Sequence, residues 1–188
     1  ASTAFLATQY DHEVQGGSVL KPLSGKGRIN ADATITRPIL NSKKGIVLTG
    51  ALYPSYSEIN PYNMAACAID TGIRQAVCAG GNPDYLALLD NFCWCSSYDP
   101  KRLWQLKEAA RACFDYAVSY GTPFISGKDS MFNDFKGFID GGKPRITSLR
   151  GKPLKISIPP TLLISAIGVV DDVYKSVSPD AKLAKDVL

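Results

Sequence analysis

Between Phe124 and Asp134 the sequence sets a glycine (Gly127), a cation (Lys128), two acids (Asp129, Asp134) and a hydroxyl (Ser130) within a few positions of one another. Backbone N–H groups beside Gly127 can approach phosphate oxygens, and Lys128 supplies positive charge. Ser130 can bond an anion, and Asp129 or Asp134 can hold magnesium. This is chemistry suited to a phosphorylated ligand. It is not a Walker A loop, because the upstream glycine, Gly121, is one residue out of register and an acid follows the lysine. A β-turn with solvated charges would satisfy the same residues.

A second group, Leu88-Leu89-Asp90-Asn91-Phe92-Cys93-Trp94, puts an acid and an amide at the carboxyl end of a short buried strand expected over Tyr85 to Leu89. Open α/β sheets bind ligands at that end of their strands. A capping Asp-Asn pair ahead of the next helix is the competing explanation. Asp32 opens the first expected strand and offers one more metal-binding carboxylate, unless it is only a solvated edge residue. His12 is the single histidine and lies in an irregular stretch better suited to a surface residue than to a general base. Trp94 and Trp104 suit core or interface anchors.

The elements that must position these groups follow from periodicity and punctuation. Residues 1–30 are polar, Gly-rich and aperiodic, an extended lead-in. Residues 32–37 alternate and Gly45 to Leu52 is a second short apolar run, so two strands are expected. Asn60-Pro61 starts a helix over about 61–79, with Ala65, Ile69, Ile73 and Ala76 on its buried face. Asp99-Pro100 starts another that Gly121 stops, and Leu103, Leu106, Ala110, Cys113, Phe114 and Ala117 trace one face of it. Pro123 to Ser126 is a brief strand, 131–158 a long loop with hairpin character, and Thr161 to Val170 a near-continuous apolar strand. The order predicts an α/β layered domain over 31–172, a mixed sheet with helices on one face. Residues 173–188 turn polar and read as the start of a following domain.

At 188 residues, with 45% hydrophobic and 20% charged residues, one core is expected. No apolar run approaches the roughly 20 residues of a membrane span. The net charge of +4 is scattered along the chain, which argues against nucleic acid and permits a single phosphate-binding pocket. Five cysteines form no disulfide framework, and the C-x-C at 93 and 95 lacks a second ligand pair, so reduced thiols and a cytoplasmic setting are expected.

Four segments in order, Asp11-His12-Glu13-Val14-Gln15, Leu89 to Trp94, Ile125 to Met131 and Pro159 to Ala166, resemble the second repeat of the phosphoribosylformylglycinamidine synthase family. The resemblance implies a fold like the N-terminal half of aminoimidazole ribonucleotide synthetase, paired with a first repeat through a closed β-barrel, or with a second copy of itself. It implies an ATP-dependent ligase that converts formylglycinamide ribonucleotide and glutamine-derived ammonia to the amidine, with a glutaminase domain or subunit as partner. By position, Asp90 and Gly127 match nucleotide contacts and Ser130 a substrate contact. Lys128 replaces an asparagine that serves magnesium in smaller members, and is expected to bind phosphate. A second, auxiliary ADP and magnesium site in larger members maps to Asp32, Thr71 and Gln75, of which only the aspartate keeps the family's residue type. The family's catalytic histidine belongs to the first repeat, so the fragment is expected to be inactive alone. A non-catalytic half acting mainly through the barrel interface is the alternative.

Overall fold

The structure, a computed structural model, describes residues 4–7, 15–147 and 151–184. A helical turn α1 (Ala4–Ala7) and short strands β1 (Ser18–Leu20), β2 (Leu23–Ser24) and β3 (Ile29–Asn30) precede β4 (Ala33–Thr36) and β5 (Gly45–Leu52). Helix α2 (Pro61–Cys78), β6 (Leu86–Cys93), α3 (Pro100–Tyr120) and β7 (Phe124–Ser130) follow. The chain closes with β8 (Phe135–Asp140), β9 (Lys143–Arg145), β10 (Lys152–Ile156) and β11 (Thr161–Val170).

Six strands form one mixed sheet in the order β1-β4-β5-β11-β6-β7, antiparallel throughout except for the parallel pair β6–β7. Alternation assigns its faces. On β11, Leu162, Ile164, Ala166 and Val170 are buried, together with Val47, Thr49 and Ala51 of β5, and α2 lies over these two strands with α3 beside it. The opposite face has no layer over it among the described residues. Leu48 and Leu52 are 43% and 48% exposed there, and the described strands form an open sheet rather than a closed barrel.

Both helices begin as their punctuation predicts. The Asn60 side chain accepts from the Asn63 N–H at 3.0 Å, and Pro61 occupies the first helical turn, where its missing N–H costs nothing. Asp99 caps Lys101 at 2.9 Å, and Gly121 ends α3 at φ 66°, a left-handed conformation that glycine adopts without a Cβ clash. Gly45 to Leu52, Thr161 to Val170, and the buried set Ala65, Ile69, Ile73 and Ala76 stand where the sequence pattern put them.

Four readings change. The inward face of α3 is Gln105, Ala109, Ala112 and Cys113, whereas Leu103 and Phe114 are 51% and 69% exposed. The helix has apolar residues on both sides, and the small residues set the inward one because they let α3 approach α2. Strand β6 continues to Cys93 and β7 to Ser130, so Asp90-Asn91 and Gly127-Lys128-Asp129 lie within a sheet ladder, not in turns. The ladder hydrogen bonds outweigh the local turn preference of Asp, Asn and Gly. Within the expected loop of hairpin character, Phe135–Asp140, Lys143–Arg145 and Lys152–Ile156 are regular strands that form a three-stranded sheet, β10-β8-β9. The segment after Asp172 packs back on the domain: Val173 is buried, its N–H donates to the Lys43 carbonyl at 2.8 Å, and Val177 N–H donates to that of Ala79 at 3.1 Å.

Candidate functional site

The parallel ladder pairs Asp90 with Gly127, Asn91 with Lys128, Phe92 with Asp129 and Cys93 with Ser130. Paired residues share a face and successive residues alternate. The expected site residues therefore divide. Asp90, Gly127 and Asp129 lie on the helix-covered face, along with buried Leu88 and Phe92. Lys128 and Ser130 lie on the open face, beside Asn91 and Cys93.

On the covered side, the Asp90 carboxylate accepts the backbone N–H of Lys128. Burial pushes its pKa above the ordinary aspartate value. The Lys128 N–H opposes that rise and the Asp129 charge adds to it. A Cβ placed on Gly127 would stand 2.6 Å from Asp90 Oδ1. Glycine at 127 thus lets the carboxylate close on the next peptide of β7. The Asp90 charge reaches α3 as well, where burial first and Asp90 second push the Cys113 thiol up to about 12.

On the open side, Lys128 Nζ donates to Ser130 Oγ at 2.7 Å. A serine whose oxygen accepts from an ammonium keeps its own proton free for an anion. Cys93 Sγ donates to Asn91 Oδ1 at 3.5 Å. Asn91 and Cys93 join the phosphate-type groups only because β6 runs four residues past the expected strand end at Leu89, to Cys93. Their alternation with Asp90 and Phe92 was the available signal.

The expected metal ligands do not come together. Asp32 precedes β4 and Asp129 lies on β7, four strand spacings away, or roughly 19 Å. No group of three or more His, Cys, Asp or Glu side chains suited to a metal occurs among the described residues. Asp134, the other candidate, is occupied: Lys155 Nζ lies 2.9 Å from its carboxylate and holds its pKa below the ordinary value. Asp32 shares a cavity of about 270 Å³ with Thr71, Arg74, Gln75 and the 177–179 segment. In that cavity's lining, Thr71 Oγ1 is 2.8 Å from the Tyr53 hydroxyl, and Gln75 Oε1 is buried without a hydrogen-bond partner among the described residues. His12 lies outside the described residues.

Residues 30–144 match the family described as AIR synthase related protein, N-terminal domain. The chain belongs to that family. The AIR synthase related match contains Asp32, Asp90, Gly127, Lys128, Asp129 and Ser130. Over 169 residues the chain is 33% identical to phosphoribosylformylglycinamidine synthase subunit PurL of Thermococcus sibiricus, covering 90% of this chain and 20% of that protein. The chain spans about a fifth of the length of the curated relatives it matches. Its fold matches the PurLQS structure from Thermotoga maritima with a TM-score of 0.69 at 22% identity, over 96% of this chain and 25% of that one. The ADP complex of Thermotoga maritima PurL gives 0.65 at 22% identity, over 96% and 26%. No helix among the described residues is long and apolar enough to cross a membrane.

Proposed function

We propose that this chain is the second AIR synthase-like repeat of a phosphoribosylformylglycinamidine synthase, the ATP-dependent ligase that amidates formylglycinamide ribonucleotide with glutamine-derived ammonia. The observation that carries the reading is the Lys128–Ser130 pair, 2.7 Å apart at the carboxyl end of the parallel strands. Its support is the run of PurL relatives aligned over most of the chain. In this reading Lys128 neutralises nucleotide phosphate, Ser130 donates to the phosphorylated substrate, and Asp90 with Gly127 shapes the nucleotide-contacting backbone. The phosphoryl-transfer step depends on positioning and charge stabilisation rather than on a base in this chain.

Magnesium fits only as an ion shared with the ligand. Asp129 and Asp32 lie roughly 19 Å apart, so any one ion would take a single carboxylate from this chain, with its remaining positions filled by phosphates and water. The metal would offset phosphate charge. The first repeat supplies the catalytic histidine, a glutaminase subunit supplies ammonia, and the cytoplasm is the setting.

Titration of the chain with ADP and magnesium tests the reading. Binding lost in Lys128→Ala is expected. Absence of heat at millimolar nucleotide would instead favour the second reading, a structural half whose main work is pairing. The exposed apolar side chains Leu48, Leu52 and Ile125 are the observation in its favour.

A further inference from the structure

Two aromatic side chains stand where the parallel strands end. Phe132 follows Ser130 by two residues, a chain span of at most about 7 Å. Its φ is +60°, a left-handed conformation in which a phenylalanine Cβ crowds the backbone. The surroundings hold it there. Trp94 N–H donates to the Ser130 carbonyl at 2.7 Å, Phe132 N–H to that of Cys95 at 3.3 Å, and Asn133 N–H to that of Trp94 at 2.9 Å. Asn133 Nδ2 adds a fourth bond, to the Ser130 carbonyl at 2.9 Å.

These bonds are made by backbone and by Asn133, so the turn does not need an aromatic ring at 132. Nor does the core use it fully: Phe132 is 41% exposed and its ring partner Tyr98 is 88% exposed. The two ring centroids lie 5.2 Å apart with 59° between the planes. Strained backbone that is held by its surroundings clusters at ligand sites. Here it aims an aromatic ring outward at the strand ends, the end at which α/β sheets receive ligands.

We propose that Phe132 and Tyr98 form a base subsite, a stacking surface for the purine ring of the nucleotide whose phosphates Lys128 holds. The inference rests on the nucleotide reading above and extends it from the phosphates to the base. Stacking on such rings tolerates many geometries because every base has a π-face.

The test compares ADP with tripolyphosphate, which has the charge and lacks the base, by titration calorimetry alongside thermal unfolding of the same variants. Phe132→Gly removes the ring and relieves the strained φ, so its melting temperature should hold or rise. ADP affinity should fall about 5- to 100-fold, while tripolyphosphate binding stays within about twofold. Phe132→Tyr should retain ADP affinity, and Tyr98→Ser should weaken ADP alone. If Phe132→Gly binds ADP as the parent chain does, or loses stability and both ligands together, the subsite is overturned. If the parent chain binds both probes equally, the base subsite is overturned and the phosphate reading stands. If the parent chain binds neither, the nucleotide reading falls and takes the subsite with it.

Discussion

Asp90 Oδ1 lies 2.6 Å from where a Cβ on Gly127 would stand, across the parallel strand pair β6–β7. The carboxylate cannot simply swing aside, because it accepts the Lys128 N–H. Gly127→Ala should therefore cost about 1–3 kcal/mol, the range for overpacking a fixed site. Asp90→Ser in the same chain should recover part of the loss, a coupling measurable by urea unfolding of the four variants. A Gly127→Ala chain as stable as the parent would contradict the close approach.

The raised pKa of Asp90 has a definite sign in stability. A carboxyl that holds its proton more tightly folded than unfolded contributes stability that is fully present below the unfolded pKa. That contribution is lost as pH rises through the folded value. Asp90→Asn should thus gain stability relative to the parent between about pH 4 and pH 7. Unfolding curves at the two pH values check this, and an unchanged or reversed difference would count against burial as the main cause.

Lys128→Ala removes the ammonium and leaves the Ser130 hydroxyl without its donor. A charged hydrogen bond contributes about 1.5–3 kcal/mol, so nucleotide affinity should drop about 10- to 100-fold. The chain should fold as before, because Lys128 lies on the open face. Lys128→Arg should recover part of the affinity, and calorimetry separates the three.

Much of this arrangement is written in local sequence. Asn60-Pro61, Asp99-Pro100 and Gly121 place both helices because capping and the left-handed stop act within a few residues. The alternation of β11 shows in its sequence because it is buried on one face over ten residues. What local sequence did not show is pairing. Asp90, Asn91 and Gly127 favour turns by type, and only the ladder between β6 and β7 keeps them extended. Without that ladder the face of each side chain cannot be assigned, so Asp90 and Lys128 read as one cluster although they lie on opposite sides. Likewise, the partners of Asp134 and of Val173 come from distant chain, Lys155 and Lys43.

The five thiols should separate by burial. Cys113, pushed up to about 12, and Cys95, also raised by burial, stay protonated and enclosed, whereas Cys78 is exposed. With Ellman's reagent at pH 8, Cys78 should react first and Cys113 and Cys95 only on unfolding, since the thiolate is the reactive form. Peptide mapping of the labelled chain identifies the order. Early labelling of Cys113 would contradict its packing between α3 and the sheet.

The shared-site account is tested most directly by reconstitution. The purified chain, a separately expressed first repeat that carries the family's catalytic histidine, and their mixture are each assayed for ATP-dependent amidation of formylglycinamide ribonucleotide with ammonia. The account predicts turnover only in the mixture, and its loss when Lys128→Ala is introduced into this chain. Turnover by this chain alone at an ordinary enzymatic rate, or a mixture indifferent to Lys128→Ala, would contradict it.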